Sequence, residues 1–105
     1  MRVRFIPQAE RQYLEALRCL MRSNAACAVT VQKRAEAVID LLREHPRAGH
    51  VISEFPDLSH RELLVPPYRI FHRVVADSVW IVAVRHARQR PERPGSSTTP
   101  ASSMS

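Results

Sequence analysis

Between Arg61 and His86 the chain reads RELLVPPYRIFHRVVADSVWIVAVRH, three segments rich in β-branched and aromatic residues separated by two short breaks. Pro66 and Pro67 stop the first segment, because proline has no N–H to give to a strand ladder. Asp77 and Ser78 supply turn residues between the second and third. Connections this short suit antiparallel neighbours, so the spacing predicts a three-stranded meander over Arg61–Val65, Tyr68–Val75 and Val79–His86. A sheet of this kind must bury one face, and the upstream sequence supplies the cover.

Met1 to Ile6 alternates, with Val3 and Phe5 on one side and Arg2 and Arg4 on the other, as a half-buried first strand would. Pro7 suits a first helical position, and Ala9, Tyr13, Ala16, Leu17, Leu20 and Met21 then recur at helical spacing until about Ser23 and Asn24. A second helix is predicted over Ala25–Glu44, with Ala28, Val31, Ala35, Val38, Ile39 and Leu42 on one stripe and charged residues on the rest. Pro46 ends it and Gly49 allows a turn with positive φ. Two helices joined by a few polar residues read as an antiparallel hairpin. The fold class is therefore α+β: an N-terminal strand, an antiparallel two-helix hairpin and a three-stranded antiparallel meander, with the helices on one face of the sheet.

Residues 1–90 form one domain on this reading. From Pro91 onward prolines, serines and threonines replace periodicity, so residues 91–105 read as a disordered tail. The N-terminus has no apolar signal region and no run of about 18 apolar residues occurs, which gives the expectation of a cytoplasmic protein away from membranes. Cys19 and Cys27 lack the spacing of a paired-thiol motif and are expected to be structural thiols. The five histidines form no ligand framework, so no metal site is expected. Gly49 and Gly95, the only glycines, belong to no phosphate loop, and no cofactor is expected.

Charge is the more informative total. Sixteen basic residues against ten acidic ones give a formal net charge of +6, which favours anionic partners. Strand parity predicts where the arginines go. Arg69, Phe71 and Arg73 share one face of their strand, and Val79, Ile81, Ala83 and Arg85 share one face of the next. Burying unpaired arginines is costly, so Ile70, Val74, Trp80, Val82 and Val84 are placed under the helices. The opposite face then presents Arg69, Arg73 and Arg85 beside Phe71, Ile81 and Ala83, flanked by Arg88 and Arg90. Such a surface can hold stacked bases and phosphates, or a partner peptide whose carboxylates meet the guanidiniums. His86 sits between a core-margin position and a weak catalytic one. Glu54, Asp57 and Glu62 can frame a cleft, but no carboxylate pair for acid and base work is specified.

The stretches FIPQAERQYLEAL, IDLLREHPRAGH and RELLVPPYRIFHRVVADSVWIVAVRHARQR, in this order, resemble the RelE/ParE superfamily of bacterial toxins over about Val3 to Arg90. The resemblance implies a compact toxin of a type II toxin-antitoxin system, neutralised by a cognate acidic antitoxin that wraps it; operator DNA would be bound only through that antitoxin. RelE-like members are ribosome-dependent ribonucleases that cut mRNA, using basic side chains of the sheet and often a tyrosine just after the last strand. In this chain Arg69, Arg85 and His86 match the basic positions, but no tyrosine follows His86. ParE-like members are poisons of DNA gyrase, and the chain is closer to them. On that branch Arg69, Arg73, Arg85 and Arg88 are recognition residues and no residue is catalytic. The alternatives are a RelE-type ribonuclease acting on the ribosome and its mRNA, or an inert module that only binds antitoxin.

Overall fold

The computed structural model describes residues 1–52 and 59–88. Arg90, the segment 91–105, Glu54 and Asp57 lie outside them. Strand β1 (Arg2–Phe5) leads into helices α1 (Pro7–Ser23) and α2 (Ala25–Glu44), followed by a short β2 (His50–Val51) and the meander β3 (Arg61–Val65), β4 (Tyr68–Val75) and β5 (Ser78–His86). The sheet order is β1-β5-β4-β3-β2. All pairs are antiparallel except β1 with β5, which is parallel because the helical hairpin carries the chain across one face between them.

Asn24 makes the helix junction tight. Its backbone N–H donates to Leu20 at the end of α1, while its side-chain oxygen accepts from the Cys27 N–H at the start of α2. One residue thus closes one helix and caps the next, a cap that contributes about 1 kcal/mol. The α2 stripe falls where the periodicity places it, with Ala28, Val31, Ala35 and Leu42 buried. Both cysteines are free thiols.

The helix-side core joins Ala9, Val31, Ala35, Val65, Ile70, Ile81 and Val84, with Phe5, Tyr13 and Leu17 packed against it. Ile81 here corrects simple alternation. The ladder between β4 and β5 shifts register at Phe71/His72: Phe71 pairs with Ala83 and His72 with Ile81, leaving Val82 as an extra residue on β5. A bulge of this kind reverses the alternation beyond it. Ile81 therefore lies under the helices, fully buried, and Trp80 and Val82 face the other side. The far side has its own small cluster of Ile52, Phe71, Val82 and Ala83 with Trp80 at its margin. Phe71 is 0% exposed there, so neither Phe71 nor Ile81 is presented to a partner.

Two turns use special backbone. Ala76 takes a positive φ of 55° in the two-residue β4–β5 connection, one residue earlier than Asp77–Ser78, and Ser78 joins the ladder opposite Val75. Gly49 has φ +98°, and a Cβ there would run into the Glu62 carbonyl and lie 3.0 Å from Leu63 Cγ. Near it two histidines are buried: His72, whose Nε2–H reaches the Ala48 carbonyl at 3.0 Å, and His60. Burial lowers the pKa of both, with Arg73 adding to the effect on His60 and Arg61 and His60 adding to it on His72.

The Gly49→Ala variant is expected to unfold about 2 kcal/mol more easily, since it adds both a strained φ and a backbone clash. Its Tm should fall by roughly 10 °C on that figure. The histidines give a pH dependence. Their native pKa values lie below the ordinary value of about 6.5, so the unfolded chain takes up protons first as the pH falls through that value. Stability is then fully present above pH ~6.5 and lost below it, at up to roughly 1.4 kcal/mol per pH unit for each histidine. Urea titrations between pH 7.5 and 5.5 should show this slope, and the His60→Gln/His72→Gln variant should flatten it.

Candidate functional site

The C-terminal end of β5 brings the sequence-named residues together, but not on one surface. Arg69 and Arg85 are cross-strand partners on the far face, with Leu64 on β3 completing the row. Arg69 is not presented to a ligand. Its Nε and Nη2 donate to the two oxygens of Glu62 at 2.7 and 2.8 Å, and the guanidinium lies 5.1 Å from the Phe71 ring centroid. The side chains of Arg69 and Glu62 are only 11% and 13% exposed. A bidentate pair this sheltered fixes the β3–β4 register, which is a structural role.

Arg85 is half-buried, Arg88 is exposed, and Arg73 is exposed well away from them, opposite Trp80. His86 faces the helix side, edge-on to Tyr68 with ring centroids 5.6 Å apart. The Arg88 N–H donates to His86 Nδ1 at 3.1 Å, and the Ala87 N–H donates to the Pro67 carbonyl at 2.8 Å, so the strand end is folded back against the β3–β4 turn. Burial, with the Cys19 and Cys27 thiols nearby, raises the Tyr68 phenol above its ordinary pKa. It therefore stays protonated at neutral pH and can donate a hydrogen bond.

Tyr68, Arg85 and His86 line one side of a cleft of about 840 Å³ between α1 and the ends of β4 and β5. Its other wall comes from α1, through Gln8, Arg11, Gln12 and Glu15, and Ala16, Tyr68 and Val84 give it an apolar floor. The cleft exists because the strands differ in length. β1 pairs with β5 only as far as Phe5 opposite Ile81, and the Ile6 N–H closes that ladder on the Ile81 carbonyl. Beyond it the edge of β5 has no strand beside it. Gln12 fills one place, its Oε1 accepting from the Val84 N–H at 2.8 Å. The cleft thus joins a partly open strand edge, an apolar floor, and Arg11 and Arg85 at its rim.

Arg85 and His86 lie at the end of β5 and Arg88 in the turn beyond it, where the strand pattern expects them, whereas Arg11, Gln12 and Tyr68 enter the cleft without having been singled out from the sequence. Arg11 and Gln12 read as ordinary helix surface. The signal available for them was the mismatch between a short first strand and a long last one, which leaves part of a strand edge for a helix side chain to satisfy.

The Glu62–Arg69 pair yields a measurable outcome. Glu62→Gln or Arg69→Met alone should destabilise the fold by about 3 kcal/mol, because each strands a sheltered charge. The double variant should recover most of that loss, giving a coupling energy of at least about 1 kcal/mol in urea unfolding.

The comparisons with known proteins bear on the whole domain. A family model described as the ParE toxin of type II toxin-antitoxin system, parDE, matches residues 3–91. No curated protein sequence matches the chain. Among solved structures, a chain of the chromosomal ParDE TA system from P. aeruginosa superposes with a TM-score of 0.59 at 12% identity, covering 82% of this chain and 95% of that one. At that identity the likeness shows the shared fold, a two-helix hairpin on one face of a mostly antiparallel sheet. The family match runs from Val3 of β1 past the end of β5, and the chain belongs to the ParE toxins of type II toxin-antitoxin systems.

Proposed function

We propose that the protein acts in the cytoplasm as a toxin that inhibits DNA gyrase by protein contact, and that a cognate acidic antitoxin neutralises it by occupying the cleft beside α1. Membership of the ParE toxin family carries this reading. The cleft supports the antitoxin part on physical grounds. An extended acidic segment can hydrogen-bond to the open edge of β5, place apolar side chains on Tyr68 and Val84, and meet Arg11 and Arg85 with its carboxylates. Charge at the rim steers such a partner in and makes the association salt-dependent. Arg69, Phe71 and Ile81 take no part, because they are committed to the fold.

A second reading, ribosome-dependent cleavage of mRNA, is favoured by one observation. No tyrosine follows β5, yet Tyr68 of β4 stands edge-on to His86 beside Arg85. Together they offer a phenol donor, an imidazole and a guanidinium for a phosphorus centre.

Purified toxin should inhibit supercoiling by gyrase, and added antitoxin should reverse the inhibition. Arg85→Ala, checked for unchanged Tm, should weaken inhibition by about tenfold, the worth of one charge-assisted contact. Full supercoiling at a hundredfold excess of toxin counts against gyrase as the target. Cuts in mRNA on translating ribosomes, abolished by His86→Ala, would establish the second reading instead.

A further inference from the structure

The far face of the sheet carries a second constellation near the start of β5, about 20 Å along the strand from the cleft at a rise of ~3.4 Å per residue. Arg4 on β1, Trp80 on β5 and Arg73 on β4 are successive cross-strand partners, so they form one row across three strands. Adjacent strands lie about 4.8 Å apart, which puts the two arginine backbones roughly 10 Å from each other with the indole between them. The Arg4 guanidinium lies 5.7 Å from the Trp80 ring centroid. Arg2 follows on the same side of β1, and Arg2, Arg4 and Arg73 are all exposed. Beside the indole is a shallow hollow of about 340 Å³ walled by Ile6, Val75, Val82 and Trp80, with Arg73 at its rim.

Within the row Arg4 contacts the Trp80 ring, and that contact leaves the charge of the guanidiniums unneutralised. Among the described residues no carboxylate forms an ion pair with Arg2, Arg4 or Arg73, in contrast to Arg69, which Glu62 holds. Three like charges gathered around an aromatic face and an apolar hollow repel one another, and they suit a partner that supplies negative charge and flat apolar faces at once.

We propose that this face binds single-stranded nucleic acid, with phosphates on Arg4 and Arg73 and a base stacked against Trp80 over the hollow. Each nucleotide brings one phosphate and one π face, so a strand crossing the row satisfies the guanidiniums and the indole together. An acidic peptide covers the indole and the hollow only where an apolar or aromatic side chain falls between its carboxylates, whereas every nucleotide carries both groups. Base stacking is also tolerant of sequence, so the strand is held without sequence preference. The binding requires neither gyrase nor antitoxin and stands apart from the cleft.

The test uses the full 105-residue chain, fluorescein-labelled dT20 and rU20, and a 20-base-pair DNA duplex. Anisotropy gives affinity across a salt series, and emission from Trp80, the only tryptophan, reports the site itself. Both single strands should bind and quench that emission; a difference between them would identify DNA or RNA as the preferred source. The duplex, whose bases are already stacked, should bind at least about tenfold more weakly, the worth of one lost base–aromatic stack. The Arg4→Ala/Arg73→Ala variant should lose roughly tenfold or more in affinity, and its log–log salt slope should be shallower by about 1.4, or ~0.7 for each phosphate contact. Lys33→Ala/Arg34→Ala on the exposed surface of α2 removes the same charge and should lose much less. The proposal is overturned if the two double variants weaken binding equally, if the oligonucleotides leave Trp80 emission unchanged at saturation, or if polyglutamate quenches it and they do not.

Discussion

The pairing of β4 with β5 determines what each face of the sheet carries. One extra residue, Val82, enters the ladder opposite Phe71, and every β5 side chain before it changes sides relative to those after it. Val84 and His86 face the helices by ordinary alternation; across the bulge Ile81 and Val79 face them too, in place of Val82 and Trp80. The exchange has two effects. The helix-side core receives two compact β-branched residues in the middle of the sheet, where Ala9, Val31 and Ala35 leave limited room. The large indole goes to the far face, where Ile52, Phe71 and Ala83 support it from one side and Arg4 covers it from another. Bulges also increase local twist, which helps a five-stranded sheet wrap a two-helix layer.

The same geometry sorts arginines that composition treats alike. Arg69 is neutralised by Glu62 and nearly enclosed, holding the meander in register. Arg85, with Arg11, borders the cleft beside the uncovered strand edge. Arg2, Arg4 and Arg73 surround the indole on the far face. A single net charge of +6 therefore divides into a structural part and two separate surface fields that different partners can use.

How far the sequence could be read follows from the range of each interaction. The helices were legible almost to the residue, because the stripe in Ala28–Leu42 and the break at Asn24 are local signals. The strands of the meander were equally plain. Their facing was not, since the bulge sits at Val82, a β-branched residue with no glycine or proline to mark it. The burial of Phe71 depends on Ile52, which lies in a link without periodicity. Glu62 and Arg69 are seven residues apart and meet only once the β3–β4 register is known. In the site, Arg85 and His86 were legible as the polar end of a strand, whereas Tyr68 and Gln12 join them through pairings that span the molecule.

Gln12 has a meaning beyond the one hydrogen bond it accepts. A strand edge with open N–H groups is a template for any extended chain, including a second copy of the protein, and such edges invite aggregation. By tying up the Val84 N–H, the amide of Gln12 interrupts that template at its centre without adding a strand. A partner segment that pairs along β5 has to displace this side chain, exchanging one hydrogen bond for another and gaining little from that position. Discrimination at this edge then falls to the contacts on either side, the apolar floor and the charged rim, so the unbound molecule is guarded against indiscriminate strand addition while remaining open to a complementary chain.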